Sequence, residues 1–182
     1  MKNSFAYLGP KGTFTEAAFL QMPIAQGAEL IPAGSVREAL NLVRSGKVFG
    51  ALVPIENSVE GSVATTLDEL GHGDSLEIID EIAIPVEFAL LAKPGVSISD
   101  IKRIATHPHA HAQCVDWLHK NIPGVHVLPA MSTAAAAEEL SVGANYDAAI
   151  CSVAAAKHYG LEILAQGIGD SDSAWTRFVL VS

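Results

Sequence analysis

Short apolar runs alternate with helical segments along most of this chain, and this alternation limits the folds that it can adopt. The runs are rich in Val, Ile and Ala, a composition that favours buried β-strands. The predicted strands are residues 5–8, 28–31, 50–54, 78–84, 87–93, 103–106, 125–128, 148–151, 162–165 and 176–181. Strands that alternate with helices predict an α/β fold, in which helices cover both faces of mostly parallel sheets.

Small polar residues mark the points where several helices begin. They are Thr13, Ser35, Ser132 and Ser152. Glu16 and Glu38 follow the first two of these residues at the spacing of a capping box. Pro108 suits the first turn of another helix, and Gly160 is placed to end the helix that follows Ser152.

One pair of predicted strands is not separated by a helix. Only Pro85 and Val86 lie between strands 78–84 and 87–93. Proline suits an extended segment better than a central position in a sheet. We therefore expect the chain to pass from one lobe to another at this point.

The composition excludes several classes of protein. Hydrophobic residues make up 49% of the chain and charged residues 17%, which excludes intrinsic disorder. The net charge of −9 opposes binding to nucleic acid. No apolar run approaches the ~18 residues that span a bilayer, and the N-terminal sequence reaches Gly9-Pro10 too soon for a secretory signal. Two cysteines without a CxxC pair fit a reducing compartment, so we expect a cytoplasmic protein that binds a small molecule.

Five polar motifs lie beside predicted strands. They are GPKGTFT (9–15), VPIENSVEGSV (53–63), THPHAHAQC (106–114), MSTAAAA (131–137) and DSDSAWTRF (170–178). Each motif alone is compatible with an ordinary turn or helix cap. Together they offer hydroxyls, amides and free N–H groups at strand ends, where α/β proteins bind ligands. The glycines of the first motif, in addition, let the backbone approach a ligand closely. This combination can hold a polyanionic small molecule with few basic residues.

The third motif also contains a possible metal-binding pattern. His107, His109 and His111 alternate along the chain, and Cys114 follows them. On a helix, however, ligand pairs are usually spaced i, i+4, and no HExxH pattern or acidic third ligand accompanies these residues. A polar corner between a strand and a helix is the favoured interpretation, and a histidine that acts as a base is a further alternative.

Taken in order, the motifs resemble those of the catalytic domain of prephenate dehydratases. The matching segments are GPKGTFTEAA, VPIENSVEGSV, THPHAHAQC, STAAAA and WTRF, which together extend over essentially the whole chain. The resemblance implies two α/β lobes, arranged as in type II periplasmic binding proteins, with an active site in the cleft between them. It implies one lobe of about residues 1–77 and 162–182, and a second lobe of about residues 78–161.

The resemblance also implies a reaction and a setting. Prephenate dehydratases convert prephenate to phenylpyruvate, water and carbon dioxide in phenylalanine biosynthesis. No cofactor and no metal is expected. A cytoplasmic homo-oligomer, a dimer or a tetramer, is expected, and strand 176–181 is one candidate contact because we expect it at an exposed sheet edge.

The resemblance assigns roles to individual residues. The catalytic threonine of the family corresponds to Thr176, and its substrate-contacting asparagine corresponds to Asn57, beside Glu56. The other positions implied as substrate-binding are Thr13, Phe14, Ser58, Thr106, Gln113, Ser132, Thr133, Arg177 and Phe178. Arg177 has an alternative role, an ion pair with an internal acid such as Glu56. Ala174 departs from the family pattern, because many members carry an asparagine there.

Two other functions and one missing domain follow from the same resemblance. The chain could act on arogenate, which differs from prephenate by an amino group in place of a keto group, or it could be a non-catalytic domain that binds a small anion. The family's regulatory ACT domain follows the catalytic domain, and no residues after Ser182 supply one. Feedback by phenylalanine is therefore not expected of this chain.

Overall fold

A computed structural model describes residues 3–171 and 173–182, and it divides the chain into two compact units. Unit 1 consists of Met1–Pro10, Phe14–Val86 and Ala174–Ser182, and unit 2 consists of Lys11–Thr13 and Glu87–Ser173. Asp172, part of the acidic fifth motif, lies outside the described residues, as do Met1 and Lys2.

The structure contains every predicted strand and adds a short one. The strands are β1 (Ser4–Leu8), β2 (Glu29–Ala33), β3 (Gly50–Asn57), β4 (Gly61–Ser62), β5 (Ile78–Pro85), β6 (Phe88–Ala92), β7 (Arg103–Thr106), β8 (His126–Pro129), β9 (Ala148–Ser152), β10 (Glu162–Gln166) and β11 (Trp175–Val181). The α-helices are α1 (Phe14–Phe19), α2 (Val36–Arg44), α3 (Ala64–Leu70), α4 (Pro108–Ala112), α5 (Val115–Asn121), α6 (Thr133–Val142) and α7 (Val153–Tyr159). Short 3₁₀ helices cover Pro23–Ala25 and Ile98–Asp100.

The sheet of unit 1 has the strand order β2-β1-β3-β11-β5, and β4 pairs with β3. β1 is parallel to β2 and β3, whereas β11 is antiparallel to β3 and β5. The prediction of mostly parallel sheets was therefore wrong. The prediction that residues 176–181 form an edge strand was also wrong, because β11 lies between two neighbours and has no free edge for a second copy. Its continuous apolar run, Phe178–Val181, is typical of a strand buried on both faces.

The sheet of unit 2 has the strand order β10-β6-β9-β7-β8. β7 is parallel to β8 and β9, whereas β6 is antiparallel to β9 and β10. The expected lobe boundaries therefore differ from those of the structure. Residues 78–85 belong to unit 1 because β5 pairs with β11, and residues 162–166 belong to unit 2 because β10 pairs with β6. The division between Val86 and Glu87 lies directly after the helix-free segment Pro85-Val86.

The sheet of unit 1 buries a different core on each face. One face, here called the aromatic face, packs Phe5, Tyr7, Phe19 and Phe178 together. The other, the aliphatic face, packs Ala6, Leu40, Val53 and Val179 together. Successive residues of β1 and β11 alternate between these two cores, as the pleat of a strand requires. The face on which each side chain of β3 and β11 lies can therefore be read from its core neighbours.

The helices begin where the small polar residues predict. The Oγ atoms of Ser35 and Ser132 accept hydrogen bonds from backbone N–H groups of the first turn, at 3.1 and 2.9 Å. Ser152 caps α7 at a longer 3.4 Å, and Gly160 ends that helix in the left-handed conformation, at φ 66°. In contrast to a full capping box, the Glu38 carboxylate accepts from the N–H of Gly34. None of the described helices is long and apolar enough to cross a membrane.

The junction of β3 with β11 gives a test of this packing. A Cβ atom at Gly50 would lie 2.6 Å from the carbonyl oxygen of Val181, which is backbone and cannot move aside. We expect Gly50→Ala to lower the free energy of unfolding by about 1–3 kcal/mol, the usual cost of overpacking. Gly71→Ala is the matched control, because Gly71 has a right-handed conformation and its nearest neighbours are 3.5 Å from an added Cβ. Urea denaturation followed by circular dichroism measures both, and a Gly50→Ala variant as stable as the control would contradict the pairing.

Candidate active site

Thr176 and Asn57 lie directly opposite each other on β11 and β3. The Nδ2 atom of Asn57 is 2.8 Å from the Oγ1 atom of Thr176. Thr176 is 8% exposed, so this hydrogen bond is largely shielded from water. The structure therefore brings together the catalytic threonine and the substrate-contacting asparagine that the resemblance implies, although they are 119 positions apart in the chain.

The hydrogen bonds of Asn57 fix the direction of its bond to Thr176. The Oδ1 atom accepts from the backbone N–H groups of Val59 and Glu60, at 2.8 and 3.0 Å. The amide must therefore turn its NH₂ group toward Thr176, and the threonine oxygen must act as the acceptor. Among the described residues, the Thr176 hydroxyl donates its own proton to no protein group. That proton is available to a bound ligand.

A β-bulge in β3 places Asn57 on the correct face. Arg177 pairs with Glu56, but the next residue of β11, Phe178, pairs with Pro54, so Ile55 has no partner in β11. Because side chains alternate along a strand, one extra residue reverses the faces of all that follow. Asn57 thus lies on the aromatic face with Thr176, whereas strict alternation from Val53 would place it on the aliphatic face. No local signal in the sequence predicts this bulge.

Ser58 continues the pairing of the two strands beyond the bulge. Its backbone N–H donates to the carbonyl oxygen of Trp175 at 3.0 Å, and its Oγ atom accepts from the N–H of Trp175 at 2.9 Å. These two bonds fix the residue that precedes Thr176. In this structure the Ser58 side chain therefore holds β11 in place.

Arg177 lies on the aliphatic face, on the side of the sheet opposite Thr176. Its Nη2 atom is 2.8 Å from Oε2 of Glu56, and its Nη1 atom is 3.5 Å from Oε2 of Glu81. The buried Nε atom has no hydrogen-bond partner among the described residues. The ion pair with Glu56, one of the two predicted roles, is thus present. Through Glu56 of β3 and Glu81 of β5, Arg177 connects β11 with the strands on both sides.

The two predicted phenylalanines differ in burial but pack against the same core. Phe178 is 2% exposed and belongs to the core of the aromatic face, and the partly buried Phe14 packs against that core. Their role as substrate-binding residues stays a prediction. In this structure they support the face on which Thr176 lies.

Unit 2 contains the other predicted site residues. The buried Thr106 hydroxyl donates to the carbonyl oxygen of Ile150 at 2.8 Å, so its proton is already used. The Gln113 side chain donates to the carbonyl oxygen of His109 at 3.2 Å. Ser132 caps α6, and Thr133 is the first residue of that helix. Thr13 ends the short segment that begins with Lys11.

The histidine motif forms a polar corner between β7 and α4. The Nδ1 atom of His107 accepts from the backbone N–H of His109 at 3.3 Å, and Pro108 occupies the first turn, as predicted. The rings of His107 and His109 make an edge-to-face contact at 4.9 Å. Within residues 3–171 and 173–182, no group of three His, Cys, Asp or Glu side chains is arranged to hold a metal ion.

Both cysteines are buried free thiols. Burial, together with the smaller effect of the nearby negative charge of Asp170, raises the pKa of Cys114 to about 12. Burial also raises the pKa of Cys151 to about 11, against the effect of a hydrogen bond with Thr133. Asp170 is held near Cys114 because its carboxylate accepts hydrogen bonds from the backbone N–H groups of Asp116 and Trp117 at the start of α5, both at 3.2 Å.

The fold and the site define a class of α/β protein with two sheet-containing units and a threonine hydroxyl oriented by an asparagine amide. The chain belongs to the prephenate dehydratase family, because the sequence model of that family matches residues 5–182. A prephenate dehydratase from Mycobacterium leprae (strain TN) is 46% identical over 184 residues, an alignment that covers 97% of this chain and 57% of the relative. The chain thus spans less than two thirds of the length of that relative.

Two solved structures have a fold similar to that of this chain. A prephenate dehydratase from Arthrobacter aurescens, crystallised in complex with L-Phe, has a TM-score of 0.93 at 50% identity over 98% of this chain and 59% of that chain. A periplasmic substrate-binding protein of an ABC transporter from Coxiella burnetii has a TM-score of 0.50 at 15% identity, over 98% of this chain and 84% of that chain. The first supports the family assignment, and the second shows the fold alone. Together they confirm the predicted fold class.

The environment of the cysteines gives a test that is independent of activity. Both thiols are buried and their raised pKa values keep them protonated at pH 8, so we expect neither to react with DTNB over minutes in the native protein. In 6 M guanidinium chloride, which unfolds the protein, both thiols should react at once.

A native thiol that reacts as fast as free cysteine would contradict the burial of that residue. Cys114→Ala and Cys151→Ala, each measured in the native state, assign any thiol that reacts there. The absorbance of the released thionitrobenzoate counts the thiols in each sample.

Proposed function

We propose that this chain converts prephenate to phenylpyruvate, water and carbon dioxide, with Thr176 as the catalytic residue. Membership of the prephenate dehydratase family supports the substrate and the reaction. The observation that carries the residue assignment is the 2.8 Å bond from Asn57 to Thr176, because it leaves the threonine proton free to be donated.

In the proposed reaction, the step that most needs catalysis is the cleavage of the bond between the ring and its hydroxyl group. The bond between the ring and its carboxylate breaks, and its electron pair enters the ring, which becomes aromatic. The bond between the ring and its hydroxyl breaks at the opposite position, and its electron pair leaves with the oxygen. The oxygen then takes up one proton and departs as water. Without a donor the leaving group is hydroxide, the conjugate base of an acid with a pKa of 15.7, and a positioned proton donor typically gains ~10²–10⁴-fold in rate.

Thr176 is placed to supply that donor. A threonine hydroxyl is a weak acid, so it acts first as a hydrogen-bond donor whose bond strengthens as negative charge grows on the leaving oxygen. The proton passes late, and the threonine oxygen regains one from water. Throughout, the Asn57 N–H stabilises the charge that develops on Oγ1.

The surrounding residues of unit 1 divide into two groups in this proposal. Asn57 directs the hydroxyl of Thr176, whereas Ser58 and Arg177 fix the backbone on either side of that hydroxyl. Ser132, Thr133 and Gln113 of unit 2 stay predicted substrate-binding residues. The first turn of α6 offers backbone N–H groups that suit a carboxylate.

The experiment that tests this function is a product assay with two substrates. Purified protein is incubated with prephenate or with arogenate, and phenylpyruvate is measured by its absorbance in alkali and phenylalanine by chromatography. Phenylpyruvate from prephenate supports the proposal. If the only product is phenylalanine from arogenate, then arogenate replaces prephenate as the substrate. Binding of either compound without product would favour the non-catalytic alternative.

The role of Thr176 predicts a specific kinetic effect. We expect Thr176→Ala to lower kcat by about 100-fold or more with little change in KM, because the lost hydrogen bond forms mainly in the transition state. Thr176→Ser keeps the hydroxyl and is the matched control, which should retain kcat within about tenfold of the wild type. Near-normal turnover by a folded Thr176→Ala variant would remove Thr176 from the mechanism.

A further inference from the structure

The first motif of the chain is divided between the two units. Lys11–Thr13 groups with unit 2, whereas the residues on both sides of it group with unit 1. A segment of three residues has no secondary structure of its own to fix its conformation. Its position must therefore come from the elements on which it packs.

Two side chains of unit 2 hold this segment by its carbonyl oxygens. The Oγ atom of Ser152, which is 3% exposed, donates to the carbonyl oxygen of Gly12 at 2.7 Å. The hydroxyl of Tyr159 donates to the carbonyl oxygen of Lys11, also at 2.7 Å. Ser152 lies at the start of α7 and Tyr159 at its end, so both ends of one helix bind consecutive residues of the segment.

Gly12 packs too closely on α7 to carry a side chain. Its φ of +79° is unfavourable for other residues, and an added Cβ would lie 3.1 Å from the Cα atom of Ala155 and 3.1 Å from Cε2 of Tyr159. The glycine is therefore required for contact with the protein itself.

Gly9 has a corresponding explanation in unit 1. Its N–H donates to the carbonyl oxygen of Ala33 at 2.9 Å, and an added Cβ would lie 2.7 Å from Cβ of Pro32. The sequence-based expectation was that these glycines let the backbone approach a ligand. Packing against neighbouring protein atoms is sufficient to explain both of them.

We infer that Tyr159 and Ser152 are positioning residues, which hold Lys11–Thr13 in one conformation on α7 and thereby orient Thr13 for substrate binding. The inference rests on the proposed function for the role of Thr13, but the anchoring itself does not. Neither Tyr159 nor Ser152 is part of a motif that resembles the family, and no local pattern relates them to their partners, 148 and 140 positions away.

The first experiment compares two glycine substitutions. Gly12 and Gly124 share a φ of +79°, but nothing lies within 4 Å of a Cβ added at Gly124. Gly12→Ala and Gly124→Ala therefore carry the same backbone strain, and only the first must displace the segment from α7. Limited trypsin digestion followed by mass spectrometry measures cleavage after Lys11, whose rate follows the population of the released segment.

The second experiment removes one hydrogen bond without a change of shape. Tyr159→Phe loses the bond to Lys11, and Tyr146→Phe is the matched control, because the Tyr146 hydroxyl donates to the carbonyl oxygen of Ala136 in the same unit at 2.8 Å. This variant remains informative if Gly12→Ala fails to fold. Both tyrosine variants are measured for cleavage after Lys11 and for kcat and KM with prephenate.

The expected results separate anchoring from a general loss of stability. Tyr159→Phe should raise cleavage after Lys11 by about 3- to 10-fold, the effect of one hydrogen bond. Gly12→Ala should also raise it, because the added Cβ displaces the segment from α7. Both variants should raise KM by a factor similar to that for cleavage, with kcat within about twofold. Neither control should change cleavage or KM.

Three results would overturn the inference or part of it. Wild-type cleavage after Lys11 in both Gly12→Ala and Tyr159→Phe would show that α7 does not anchor the segment. Faster cleavage with unchanged KM would overturn the positioning role. If the wild-type protein turns over no prephenate, the proposed function fails, and the cleavage rates alone decide whether Tyr159 anchors the segment.

Discussion

The pairing of β11 with β3 determines the position of every side chain that we assign to the chemistry in unit 1. This pairing sets Thr176 opposite Asn57, and the bulge at Ile55 turns Asn57 onto the same face. The turn after β3 then orients the Asn57 amide through the N–H groups of Val59 and Glu60. The catalytic proposal thus depends on backbone geometry, and the role of Asn57 in it is to orient the Thr176 hydroxyl.

The sequence predicts the secondary structure and the class of fold because both depend on local patterns. Helix starts such as Ser35 and Ser132, and the apolar runs of the strands, carry that information in a few consecutive residues. Strand order and direction depend on distant residues. Thus β10 pairs with β6, and β11 lies between β3 and β5, although none of these three partners is close to β10 or β11 in the sequence. The apolar run Phe178–Val181 did carry one usable signal of a central strand.

The sequence names the residues of the candidate site, but it does not tell what each of them does in the folded chain. The resemblance names Thr176 and Asn57, and in the structure a hydrogen bond connects their side chains. The ion pair of Arg177 with Glu56 was one of two predicted roles, but the resemblance gives no reason to separate Ser58, which fixes the backbone, from residues that contact substrate. The anchors of the first motif show the same limit, because the bonds of Ser152 and Tyr159 to residues 11 and 12 span most of the chain. Such roles depend on hydrogen bonds that only the folded chain forms.

A double-mutant cycle between Asn57 and Thr176 tests the central claim most directly. Asn57→Asp keeps an oxygen for the N–H groups of Val59 and Glu60 but turns a second oxygen toward Thr176, which then donates its proton to position 57. Values of kcat are measured for Asn57→Asp, Thr176→Ala and the double variant. If Asn57 acts by directing the Thr176 hydroxyl, the double variant should be no slower than Thr176→Ala, within about twofold. Losses that multiply in the double variant would contradict that claim.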